Sequence, residues 1–200
     1  MSSIKTSTPI LAGQYYHLFN RGTNRQDIFF STDNYKYFLK LMDKFLSKYM
    51  SILSYCLLPN HFHMVVKIND RQPPNTNANK LKDCGQLAVR QLMKLFITYA
   101  MSINTKEKRT GNLFAPKYKR LNISSDEYLK YLIFYTHYNP EKHGIIKNFS
   151  SYTFSSYNAI CSNKATKIDR DLVLDIYDGR DNFLKYHNVV HEERKELELE

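Results

Sequence analysis

Cysteine is scarce and scattered. Cys56, Cys84 and Cys161 are the only three, and no CxxC pair occurs. An odd, dispersed set disfavours both a disulfide framework and a cysteine-built zinc site, and a reducing cytoplasm suits it. Long apolar runs are missing too. None approaches the roughly 18 residues of a membrane span, so no membrane partner is expected. The opening MSSIKTSTPILAG has no long apolar core and does not read as a secretory signal. There is no internal repeat. Tryptophan is absent, and the aromatic content falls on 16 Tyr and 12 Phe. Tyrosine can stack on bases, fill a half-buried sheet face or act as a nucleophile. Acidic residues are outnumbered, 19 against 29 Lys+Arg, for a net charge of +10. This excess favours an anionic partner, commonly nucleic acid, although a basic solvated surface accounts for it equally. With 200 residues and 42% hydrophobic content, the chain suits one domain with a real core.

Residues 1–13 read as a tail. Tyr15–Asn20 (YYHLFN) reads as a strand. Ser31 or Thr32 caps a helix running to about Tyr49, with Tyr35, Phe38, Leu39, Met42, Phe45 and Leu46 as its apolar stripe. Residues 52–57 and 61–68 read as two strands joined by a turn at Pro59-Asn60. Residues 69–79 are a polar loop, and a helix follows over 80–103. LFAPKYKR (113–120) reads as an irregular edge strand. Ser124 or Ser125 then caps a helix that Pro140 stops. This order predicts an α+β, ferredoxin-like fold: a split βαβ, RRM-like antiparallel sheet with helices on one face. The other face stays free for a ligand or the late helix. Beyond Gly144, a turn plus a short helix is expected in SYTFSSYNAI (151–160) and small helices at 172–177 and 181–186, with the acidic HEERKELELE end frayed.

The segment LLPNHFHMVVKI carries the clearest chemistry. Alternation along a strand points His61 and His63 one way and Phe62 the other. Two imidazoles on one face can grip a divalent metal ion. A packed or surface pair is the commoner reason for so short a motif taken alone. The late helix places Tyr135 and Asn139 four residues apart, on a shared face. A tyrosine hydroxyl can attack a phosphodiester but needs help, and a metal polarising a phosphate oxygen supplies it. Asn139 offers a third, oxygen ligand. The run YLKYLIFY serves equally as a core stripe, with Asn139 as a helix cap, and spacing alone does not decide.

Together the segments YYHLFNRGTNRQDIF, YCLLPNHFHMVVK, GNLFAPKYKR, YLKYLIFYTHYNPEKHG and SYTFSSYNA resemble the IS200/IS605-like tyrosine transposases, in particular their REP-associated relatives. The resemblance spans about residues 15–159. It implies an HUH nuclease domain over 14–160, the nucleophile-bearing helix packed beside the sheet, and 161–200 as a helical extension of that domain. It implies that His61 and His63 match the metal-binding pair, Asn139 the third ligand and Tyr135 the nucleophile. One departure is LFAPKYKR, where many relatives have a longer basic or glutamine-containing run near LFxxRY. His137 lies two residues past Tyr135, faces elsewhere on the helix and is not counted as a ligand.

The implied activity is metal-dependent cleavage and rejoining of single-stranded DNA in transposition, through a covalent 5′-phosphotyrosine. Mg²⁺ or Mn²⁺ is the expected cofactor, since the set offers imidazole nitrogen and amide oxygen. Single-stranded DNA with a hairpin-forming end is the expected partner, in a bacterial cytoplasm. Arg21, Arg25, Lys94, Arg109, Lys117, Lys119, Arg120 and Lys142 flank the site as phosphate contacts, with Tyr118 as a stacking platform. A transposase-derived protein that binds single strands without cutting them is the alternative. A small phosphodiesterase explains the histidines but not the Tyr135–Asn139 helix. A monomer is favoured over a homodimer, because the long segment after Tyr135 can tie its helix to its own sheet.

Overall fold

The structure is a computed structural model, and it describes residues 8–70 and 84–198. The start of the expected tail, most of the loop at 69–79 and the expected helix start at 80–83 lie outside these residues. Four strands form one antiparallel sheet: β1 (Tyr15–Arg21), β2 (Met50–Leu58), β3 (His61–Ile68) and β4 (Lys119–Ile123), in the order β2-β3-β1-β4. Helices α1 (Thr32–Leu46) and α2 (Cys84–Lys106) complete the expected ferredoxin-like unit.

Strand alternation divides the sheet into two faces with different work. Phe62 points to the face covered by α1 and α2, where its ring meets Phe38 at 5.4 Å and Phe96 at 5.6 Å. Tyr16, Leu18, Phe62, Met64 and Val66 are fully buried there. Removing such large apolar side chains from water, at about 25 cal/mol per Å², supplies the main drive for this layer. The opposite face carries His17, Phe19 and Arg21 from β1. In register beside them on β3 are Val65, His63 and His61. Its cover is α3 (Asp126–Lys142), which packs across β2 and β3.

Two features differ from expectation at the chain ends. Residues 9–13 are pinned rather than loose: Ile10 is buried, the Tyr16 hydroxyl donates to the Pro9 carbonyl at 2.8 Å, and Gly13 N–H donates to Ile68. The acidic end is helical: α6 runs Arg180–Glu198, beyond α4 (Tyr157–Cys161) and α5 (Arg170–Ile176). Burial of Phe183, His187 and His191 against the rest of the fold supplies what the charged sequence lacks by itself. Among the described residues no helix is long and apolar enough to cross a membrane.

Helix α3 is fixed from both sides by a buried hydrogen-bond chain with a deducible direction. The Phe183 carbonyl can only accept, so His187 Nδ1–H donates to it at 2.9 Å. Neutral His187 then accepts at Nε2 from His137 Nδ1–H, at 3.0 Å. His137 Nε2 accepts the Ser156 hydroxyl at 2.8 Å, and Ser156 Oγ accepts Tyr55 N–H of β2 at 2.9 Å. His137 does face away from Tyr135, as expected, and its work is anchoring.

Burial holds this pair neutral. It pushes His187 down to about 3 and, with His187 beside it, holds His137 well below the usual range. Unfolded, each titrates near 6.5. Between the folded and unfolded values the unfolded chain binds more protons, so stability falls as pH drops below about 6.5. Within that window each such histidine costs about 1.4 kcal/mol per pH unit. The expected result is a denaturant midpoint that falls steeply between about pH 7 and pH 4.5. In a His137→Gln, His187→Gln protein that slope becomes shallower. A slope equal to the parent's would show the pair is not what acid attacks.

Candidate active site

The histidine pair sits beside the tip of the β2–β3 hairpin, whose turn is only Pro59-Asn60. That turn is held firmly. The Pro59 carbonyl accepts from the N–H groups of Ile28 and Phe29, and the Asn60 carbonyl from Gly22. Gly22 allows this close folding, since a Cβ there would stand 1.9 Å from the Gln26 carbonyl oxygen. Asn60 in turn orients His61: its Oδ1 accepts the His61 Nδ1–H at 2.6 Å, which leaves the lone pair on Nε2.

His63 is oriented by a residue that sequence reading missed. His17 Nε2 lies 2.9 Å from His63 Nδ1, and the two rings stack with Phe19. With the shared proton on His63 Nδ1, its Nε2 too carries a free lone pair. Burial, then His17, His61, His143 and Lys142, hold His63 well below the usual histidine range. Burial, then His143 and Arg21, push His61 down to about 4. Both rings are therefore neutral near pH 7, the state a metal requires.

Helix α3 brings the other half. The Tyr135 ring meets His63 edge-on at 6.0 Å and His17 at 6.4 Å. One turn on, Asn139 is fully buried. Its Nδ2 donates to the Tyr135 carbonyl at 2.6 Å, while its Oδ1 has no partner among the described residues. A buried unpaired oxygen costs roughly 1–3 kcal/mol, and its place on the helix that carries Tyr135 against His63 fits a site built to receive a cation. Among the described residues no three His, Cys, Asp or Glu side chains converge as metal ligands. A metal held by the histidine pair would need a donor of another kind, and Asn139 Oδ1 is an oxygen that could serve.

Pro140 does not stop α3. The helix continues to Lys142 and closes at Gly144, whose φ is 66°. There Gly144 N–H donates to Glu141 and Ile145 N–H to Pro140, satisfying the last carbonyls. Proline loses only one N–H near a helix end, so one further turn is cheap once that closure is available. The extra turn matters for the site. It brings the His143 ring to 4.9 Å from His61 and Lys142 Nζ to 3.2 Å from Tyr135 Oη.

A cleft of about 700 Å³ opens on His61 and His63. Of the expected phosphate contacts, Arg21, Arg25, Lys117 and Lys119 line it, together with Asp27 and His143. Lys142 stands against Tyr135 instead, and the rest lie away from the cleft. LFAPKYKR is a strand only from Lys119, because residues 113–115 are instead fastened to Arg21 and Thr23. Tyr118 packs on Phe96 of α2, with Arg120 hydrogen-bonded to its hydroxyl, in a separate apolar groove. Lys94 is exposed on α2. Arg109 donates to Gln26 and lies over Phe30.

A family model described as IS200-like transposase matches residues 11–139. Among solved structures, the fold is similar to a REP-associated tyrosine transposase bound to a REP hairpin. Identity there is 17%, TM-score 0.57, with 82% of this chain and 87% of that chain covered. A bacterial tRNA(His) guanylyltransferase-like protein in complex with GTP aligns at TM-score 0.41 and 10% identity, over 74% of each chain. No curated protein matches the sequence.

Proposed function

Because the chain belongs to the IS200-like transposase family, we propose that it cuts and rejoins single-stranded DNA through Tyr135. One observation carries this reading: the Tyr135 ring lies against His63, with the unpaired Asn139 oxygen one helical turn away. Tyr135 Oη attacks the scissile phosphorus, leaving a 5′-phosphotyrosine and a free 3′-OH, and an incoming 3′-OH reverses the step. His61, His63 and Asn139 would hold Mg²⁺ or Mn²⁺, and the imidazoles favour Mn²⁺. When bound, such an ion polarises a non-bridging phosphate oxygen and offsets the charge of the transition state. Arg21, Arg25, Lys117 and Lys119 hold the flanking phosphates in the cleft. The hairpin carried by the structural neighbour motivates a substrate with a hairpin end. The buried chain from α6 through His137 to β2 favours a site complete within one molecule, hence a monomer.

The test is an adduct assay. A labelled single strand with a hairpin end, incubated with protein and Mn²⁺, should yield a protein–DNA species that survives SDS. The label should stay with protein only when placed 3′ of the cut. No adduct on any such strand, across the divalent ions, would leave a binding protein without cleavage.

His17 supplies a further expected result. His17→Ala removes the acceptor that fixes the His63 ring, and a lost orienting partner of this kind costs about 10–100-fold in metal affinity. Calorimetric titration with Mn²⁺ reads it directly. An unchanged affinity would show that His63 needs no such support.

A further inference from the structure

Lys142 has a more particular place than a general phosphate contact. Its Nζ is 3.2 Å from Tyr135 Oη and 4.7 Å from the centroid of the same ring. Lysine side chains on a helix lean toward its N-terminus, so a residue two turns past Tyr135 on the same face reaches back to it. The turn that carries Lys142 exists because α3 passes Pro140 and closes at Gly144. Among the described residues no carboxylate pairs with Lys142, so its charge is not spent on a neighbour.

We propose that Lys142 is a catalytic residue of the reaction proposed above: its ammonium stabilises negative charge on Tyr135 Oη, both as that oxygen attacks phosphorus and as it leaves. The inference rests on Tyr135 being the nucleophile. In cleavage the Oη–H bond breaks, Oη–P forms and P–O3′ breaks. The proton lost by Oη is matched, through solvent, by one gained at O3′. In rejoining the same bonds form and break in reverse, and the phenol oxygen departs carrying charge. A fixed ammonium at hydrogen-bond distance serves both directions without reorganising. The cations that line the cleft are assigned to the DNA phosphates, whereas the ammonium hydrogen-bonded to Tyr135 Oη is that of Lys142.

The experiment compares single-turnover cleavage at saturating DNA for the parent, Lys142→Met and Lys142→Arg. Loss of one charge-stabilising donor typically costs about 100-fold in the chemical step. Lys142→Met should show a loss of that order, and Lys142→Arg, which keeps the charge, should recover most of it. A second arm places 3,5-difluorotyrosine at position 135. This ring carries negative charge more readily by itself, so the Lys142→Met penalty should shrink. DNA affinity, measured with Tyr135→Phe in place, should change little on Lys142→Met. Lys142 is exposed, so folding is not at issue. A Lys142→Met rate equal to the parent's overturns the proposal. So does a defect confined to affinity, or one that difluorotyrosine leaves unchanged. If the parent itself forms no adduct, the cleavage reading fails first, and the two failures are told apart.

Discussion

Tyr135→Phe should form no SDS-resistant adduct, a loss expected to exceed about 1,000-fold because no other group takes over attack on phosphorus. The substitution is narrow. It keeps the ring that meets His17, His63 and Tyr131, and removes one hydroxyl whose hydrogen-bond partner is Lys142. Tyr135 is half-buried, so the stability cost should stay near 1 kcal/mol or less. DNA binding should therefore persist, and gel shift with the same strand checks it. Binding without adduct isolates the chemical step. An undiminished adduct would mean another residue is the nucleophile. Tyr131, one turn earlier, is the obvious rival, but its hydroxyl is engaged by Arg194 of α6.

The second large effect is expected from removing both imidazoles. His61→Ala with His63→Ala should abolish measurable Mn²⁺ binding and lower cleavage by more than about 1,000-fold, since Asn139 alone is a weak ligand. The fold should survive, because both rings lie on the α3 side and the Phe62 layer is untouched. His63 is buried against His17 and Phe19, so a stability loss of about 1–3 kcal/mol is expected. Circular dichroism separates that loss from unfolding. Metal-dependent cleavage retained by the double variant would remove the histidines from the site. Mixing this variant with Tyr135→Phe reads the subunit question. An inactive mixture is expected, whereas restored cleavage would mean that two copies share one site.

The sheet and its two working strands were legible in the sequence because short aromatic and β-branched runs there are bounded by turn residues. HFHMVVKI puts Phe62, Met64, Val66 and Ile68 on one face, and a two-residue turn leaves little freedom in how β2 meets β3. Helical spacing put Tyr135 and Asn139 on a shared face, while the roles expected of them rested on the family resemblance. What sequence did not reveal was register between distant strands. His17 carried a signal, since it shares a face with Phe19 and Arg21. Yet only the pairing of Phe19 with His63 brings its ring to the site. His143 was hidden by the weight given to Pro140, and Lys142 was read only as a phosphate contact, not as a neighbour of Tyr135. The rule that proline ends a helix is a local one, and the closure at Gly144 overrode it with two hydrogen bonds. Of α6, 181–186 read as a small helix and the acidic end as frayed because its sequence shows charge, while the longer helix depends on His187 and His191 meeting residues about 50 positions earlier. Lys94, Tyr118 and Arg120 flank the site in sequence only, because β4 and α2 turn them to other surfaces.

The placement of Phe62 between the two histidines has a consequence for how such a protein can lose its activity over generations. Inserting or deleting one residue in β3 would send Phe62 toward the cleft and the imidazoles toward α1 and α2. That would breach the core in the same event that erases the site. Length changes in this strand are therefore purged as unfolded protein, whatever the selection on catalysis. Silent descendants of this domain that still fold should carry point substitutions at His61, His63 or Tyr135, with the hairpin's length intact.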